Sequence, residues 1–195
     1  MKQLFPKIVI VLLLCVLAAC KPAGEAGKLV ATDITGADFG QTFNLTDHTG
    51  KPRTLADFKG KAVALFFGYT HCPDVCPTTM ADLKQTMKLL SSRADEVQVL
   101  FITLDPERDS QAVLAQFVPS FDARFIGLRG SVEEIAATAK AFKIFSSKVQ
   151  SEGRSAYTID HSAGMYIFDK VGKIRLYIDY GEKPQDIAND IKQVL

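Results

Sequence analysis

Two cysteines and one histidine carry the chemistry that this sequence can support. Cys72 and Cys76 stand in Phe66-Phe67-Gly68-Tyr69-Thr70-His71-Cys72-Pro73-Asp74-Val75-Cys76-Pro77, just past an apolar run and at the opening of a helical pattern. A helix N-terminus offers unpaired N–H groups and the positive end of a dipole, so it favours deprotonated sulfur and lowers a thiol pKa. Pro77 suits the first turn, and Asp74 is a candidate cap. Positions four apart share a helix face with Cβ atoms about 5–6 Å apart, whereas a disulfide wants about 3.8 Å. A metal ion between the two sulfurs fills the extra distance, although a mobile Cys72 can still close a disulfide. The spacing alone therefore leaves a chelate, a redox pair and two incidental buried cysteines open.

The chain has three histidines. His48 lies in a polar turn and reads as a surface residue. His71 directly precedes Cys72, and neighbouring side chains usually point apart. His161 sits in Thr158-Ile159-Asp160-His161-Ser162-Ala163-Gly164, immediately before a strand pattern. Asp160 beside it is a candidate acceptor for the second N–H of a ligating imidazole.

The elements that must position these residues can be read from periodicity. Ala62 to Phe67 and Val97 to Leu104 are continuous apolar runs, as in strands buried on both faces. A helix from Val75 to Leu90 repeats Met80, Leu83, Met87 and Leu90 on its core face. A second spans about Ser110 to Phe117, and a third follows the capping box of Ser131 and Glu134. Phe43–Thr46 and Arg53–Leu55 flank the turn Asp47-His48-Thr49-Gly50. Met165–Phe168 and Ile174–Tyr180 read as paired strands, and Pro184 opens a final helix.

Parallel units followed by an antiparallel pair match a thioredoxin-like α/β fold, with a central mixed sheet flanked by helices and an added N-terminal β-hairpin. In that fold the loop before the antiparallel pair faces the cysteine loop and normally carries a cis-proline. No proline occupies this stretch, and a histidine there either completes a set of two sulfurs and one nitrogen or merely satisfies the hydrogen bonds of the loop. Soft thiolates with imidazole suit copper or zinc. Structural zinc usually closes a set of four ligands, so three favour copper.

The segments TDHTGKPRTLADFKGKAVALFFGYTHCPDVCPTTM, LDPERD and DHSAGMYIFDKVGKIR together resemble the Sco/SenC family, over about Ala31 to Leu195. The resemblance implies a copper metallochaperone, one Cu(I) or Cu(II) per chain, with ligands at Cys72, Cys76 and His161. It further implies cytochrome c oxidase subunit II as the acceptor, at its binuclear copper site, and a periplasmic copper donor. That is a binding and delivery role, not necessarily an enzymatic one. The alternative is a thiol–disulfide reductase that keeps the oxidase cysteines reduced, using Cys72 and Cys76 as its redox pair and needing no histidine ligand. Val75-Cys76-Pro77-Thr78 also faintly resembles a peroxiredoxin site, but the threonine wanted three residues earlier is absent. The charged block Asp105-Pro106-Glu107-Arg108-Asp109 is either a partner or metal contact, or a loop in which Asp109 caps a helix.

The N-terminus bounds the location. Lys2 and Lys7 precede an apolar run from Ile8 to Ala19, too short for a comfortable membrane span but suited to an export signal. Leu17-Ala18-Ala19-Cys20 looks like a bacterial lipobox, which makes residues 1–19 a signal peptide and Cys20 a lipidated first residue; the alternative is an ordinary signal peptide or an uncleaved anchor with a stray Cys20. Acyl chains on Cys20 would hold the domain at a membrane. Residues 20–28 form the lipidated cysteine and a short polar tether, and residues 29–195 the globular domain. The expected location is the bacterial cell envelope, on the periplasmic side, and lysine after Cys20 resembles the outer-membrane pattern. Cys15 leaves with the signal, so Cys72 and Cys76 are the remaining free thiols. Without residues 1–19 the chain holds 21 basic against 22 acidic residues, which gives no support to nucleic-acid binding.

Overall fold

The computed structural model describes residues 28–150 and 157–195. The segments expected as signal peptide, lipidated Cys20 and tether, up to residue 27, lie outside the described residues. The elements in chain order are β1 (Thr32–Asp33), β2 (Leu45–Asp47), β3 (Pro52–Arg53), β4 (Ala62–Gly68), α1 (Val75–Leu90), β5 (Val97–Thr103), α2 (Gln111–Phe121), β6 (Ile126–Arg129) and α3 (Val132–Ala141). Then come β7 (Ser146–Gln150), β8 (Tyr157–His161), β9 (Met165–Phe168), β10 (Ile174–Ile178) and α4 (Pro184–Val194).

Eight strands form one mixed sheet in the order β1-β10-β9-β4-β5-β6-β2-β3. Its centre is the pair of apolar runs: β4 and β5 are parallel and buried along their whole length. Side chains alternate across a strand, so β4 feeds two cores. Ala62, Ala64 and Phe66 face Met80, Leu83 and Met87 of α1 and Ile187 and Ile191 of α4. Val63, Leu65 and Phe67 face Phe43, Ile135 and Phe142 on the other side. Phe66 and Phe67 are wholly excluded from water, each worth about 1.5–3 kcal/mol of burial.

Topology gathers the chemistry at one end. Gly68 of β4 pairs with Thr103 of β5, so the cysteine loop and the Asp105–Asp109 loop leave the same sheet edge. β9 runs antiparallel to β4 with Met165 opposite Phe66, which brings the residues before Met165 to that edge too. Three expectations need correction. Thr158 to His161 is not a loop, because Tyr157–His161 is a strand paired with β7 in a separate two-stranded sheet. β6 adds a short parallel strand beside β5, four residues long and without a pattern that periodicity could detect. α2 runs through Pro119 to Phe121; the proline removes one N–H from the last turn, and the helix ends two residues later.

Candidate metal centre

The site begins where β4 ends. A Cβ on Gly68 would lie 2.9 Å from Cys76 Sγ and 2.9 Å from the Phe101 ring, so glycine lets the sulfur sit against the strand. Cys76 is fully buried, while Cys72 keeps partial exposure. The Cys76 N–H, one of the free donors in the first turn of α1, points at Cys72 Sγ at 3.4 Å. Asp74 does not cap the helix: its carboxylate instead accepts from the Thr78 hydroxyl at 3.4 Å. The sulfur of Cys72 takes a helix donor that a capping side chain would otherwise fill.

Burial pushes the Cys76 thiol well above its usual range, and the Tyr69 backbone N–H offsets this only in part. The expected lowering at a helix N-terminus therefore fails at Cys76. Desolvation outweighs the dipole for a sulfur with no exposed surface. A metal ion in contact with both sulfurs would supply the positive charge that the fold does not.

His161 arrives from the end of β8. Its Nε2 lies 3.6 Å from Cys76 Sγ, and its Nδ1 lies 2.8 Å from the Ser162 carbonyl oxygen. A carbonyl only accepts, so Nδ1 carries the proton and Nε2 presents its lone pair to the sulfurs. Burial lowers the imidazole pKa, opposed by the Ser162 hydrogen bond and the charge of Asp160, which favours the neutral, ligating form. The partner of Nδ1 is thus Ser162 and not Asp160. Successive residues of a strand point to opposite faces, and exposed Asp160 acts on the ring through charge alone.

Together, Cys72, Cys76 and His161 offer ligand atoms that all lie within 4.8 Å of one another. The rings of Phe66 and Tyr69 stand edge-on to the imidazole, with centroids 6.4 and 6.0 Å away. On the open side lies a cavity of about 370 Å³ bordered by Pro73, Val75, Asp160 and Ala163. The group can hold one metal ion, shielded behind by aromatic carbon and approachable from the front.

The other two histidines stay outside this group. His48 accepts from the Gly127 N–H at 3.0 Å, extending the pairing of β2 with β6. His71 turns outward to Thr70 Oγ1 at 3.1 Å and stands 3.7 Å from Asp109. Asp109 is no helix cap, since Ser110 caps α2 through the Val113 N–H. It is buried, and its carboxylate accepts from the Thr70 N–H at 3.0 Å and from the Thr70 and Thr103 hydroxyls at 2.6 Å each. Asp109 thereby pins the cysteine loop to the end of β5. Tyr69 and Ser162 are site residues that sequence reasoning missed. Tyr69 reads as one more apolar position after β4, and Ser162 contributes a backbone atom that no side-chain pattern can signal.

Four similarities bear on this arrangement. A protein described as "Protein SCO2 homolog, mitochondrial" from Mus musculus is 37% identical over 153 residues, covering 77% of this chain and 60% of that protein. The chain thus spans less than two thirds of that relative's length. The structure of Bradyrhizobium japonicum ScoI with copper bound is 38% identical, with a TM-score of 0.74 over 80% of this chain and 99% of that one. The SCO1/SenC family lipoprotein from Bacillus anthracis str. Ames is 26% identical, with a TM-score of 0.69 over 86% of this chain and 99% of that one. A family model described as SCO1/SenC matches residues 31–195, nearly all of the described residues, and the chain belongs to that family.

Proposed function

We propose that this protein takes up one copper ion through Cys72, Cys76 and His161 and delivers it to the binuclear copper site of cytochrome c oxidase subunit II. The observation that carries this reading is the convergence of two sulfurs and one imidazole nitrogen within 4.8 Å, open on one side. Two thiolates and a neutral imidazole are a soft, low-charge donor set suited to copper. Three protein ligands leave room for a donor atom from the acceptor, so the ion can pass by ligand exchange without being set free. The copper-bound relative supports the choice of ion. Family membership supports the oxidase as destination, with copper received from a periplasmic donor.

The chain's own residues prepare the transfer. The Ser162 carbonyl fixes the imidazole tautomer, Asp109 holds the cysteine loop through Thr70, and the rings of Phe66 and Tyr69 exclude water from the inner side. We also propose that Cys20 carries the lipid anchor after removal of residues 1–19, with residues 20–28 as tether and 29–195 as the domain on the periplasmic side. No helix among the described residues is long and apolar enough to cross a membrane.

The deciding experiment mixes the reduced, copper-loaded chain with a metal-free subunit II fragment whose cysteines are already reduced. The expected result is copper in the fragment, and loss of transfer with His161→Ala. If no copper moves, yet the metal-free chain reduces an oxidised fragment equally well with and without His161, the protein is a thiol reductase.

A further inference from the structure

The ligand set joins two separately held parts. Cys72 and Cys76 belong to the β4–α1 junction, inside the main core. His161 belongs to the β7–β8 hairpin, which makes no strand pairing with the main sheet. Beyond the three-residue link from His161 to β9, its position relative to the sulfurs is set by side-chain contacts. Tyr157, Ile159 and His161 alternate onto one face of β8, and the two residues before His161 on that face are both tied down. The Ile159 N–H donates to Tyr69 Oη at 3.1 Å. Tyr157 is gripped twice: its carbonyl accepts from Arg108 Nη1 at 3.0 Å, and its ring lies under the guanidinium at 3.6 Å from the centroid.

Arg108 is itself anchored. Its Nε donates to Asp105, whose other carboxylate oxygen accepts from Tyr157 Oη at 2.7 Å. Asp105 is fully buried, and its N–H donates to the hydroxyl of Thr103, the last residue of β5, at 2.9 Å. The result is a closed triangle of Asp105, Arg108 and Tyr157, mounted on the same loop whose Asp109 pins the cysteine loop. One five-residue loop thus references both halves of the ligand set to the end of β5.

We propose that Arg108, locked between Asp105 and Tyr157, is a positioning residue for His161, holding β8 so that the imidazole reaches the two sulfurs. The inference rests on the reading of Cys72, Cys76 and His161 as a copper site. A planar guanidinium that donates two ways and stacks on a ring fixes a geometry that a lysine ammonium does not. Losing an outer support of a metal ligand commonly weakens metal affinity about 10–100-fold.

The test compares Cu(I) affinity of the reduced full chain by chelator competition, using Arg108→Lys and the milder Tyr157→Phe, each with and without His161→Ala. Tyr157→Phe keeps the ring under the guanidinium and removes only the hydroxyl bond to Asp105. The expected result is a loss of about 10-fold from each substitution alone, and no further loss once His161 is already alanine. The Cu(II)–thiolate absorption of both variants should move towards that of His161→Ala. Equal losses in both backgrounds would mean general loosening of the fold and overturn the proposal, as would unchanged affinity in both variants while His161→Ala binds weakly. If His161→Ala itself binds as tightly as wild type, the histidine is no ligand, and the site reading falls together with the positioning role.

Discussion

Cys76 and His161 reach a shared point with opposite protonation problems. Burial keeps the Cys76 thiol protonated at neutral pH, whereas the same burial keeps the imidazole neutral and ready to bind. On the proposed ligand set, copper must therefore displace a proton from Cys76. Its apparent affinity should rise about tenfold per pH unit on that account through the neutral range, as read by chelator competition. His161 adds a further loss only on the acid side of its depressed pKa, where protonation removes the Nε2 lone pair. A pH-independent affinity across neutrality would show that binding displaces no thiol proton, so that Cys76 is either a thiolate before copper arrives or not a ligand. At the same scale, Cys72→Ser or Cys76→Ser should abolish tight binding. His161→Ala should weaken it at least as much as the 10–100-fold seen for supporting residues elsewhere.

The elements show why some of this was legible and some was not. Long apolar runs gave β4 and β5, and the recurring Met80, Leu83 and Met87 gave α1 with the bounds Val75–Leu90. The Ser131–Glu134 capping box stands as read, with both reciprocal bonds made. β6 and the β7–β8 hairpin escaped notice because they are short, and because β7 is exposed throughout and so carries no alternation. The buried roles of Asp105 and Asp109 were illegible for another reason: two carboxylates beside an arginine look like a solvated loop until their partners on distant segments are known. Gly50 was readable as a turn residue and does adopt φ 89°, but Gly68 matters through what its missing Cβ leaves room for. Gly68→Ala should cost roughly 1–3 kcal/mol by overpacking against Phe101 and Cys76. Denaturant unfolding would measure that cost, and a shifted Cu(II)–thiolate band would report the displaced sulfur. An alanine variant with unchanged stability and spectrum would remove Gly68 from the account.

The described residues form a thioredoxin-like fold whose sheet brings the cysteine loop, the Asp105–Asp109 loop and the segment before Met165 to one edge. Because the proposed ligands come from segments far apart in sequence, an ion bound there would tie α1 to the β7–β8 hairpin and favour the folded state. Copper at 100 times its dissociation constant should stabilise the reduced protein by about 2.7 kcal/mol, seen as a raised Tm. Joining Cys72 to Cys76 in a disulfide removes both thiolates, so the oxidised protein should gain no stability from copper. Equal stabilisation of both forms would place the metal elsewhere on the surface.

The most direct test of the central claim is the copper stoichiometry of the reduced chain, with Cu(I) supplied without oxygen, for wild type, Cys72→Ser, Cys76→Ser and His161→Ala. The account predicts one tightly held copper per wild-type chain and none held with that affinity in any of the three variants. A wild-type chain that holds no tight copper while its cysteine pair cycles reversibly, or one whose copper survives all three substitutions, would contradict it.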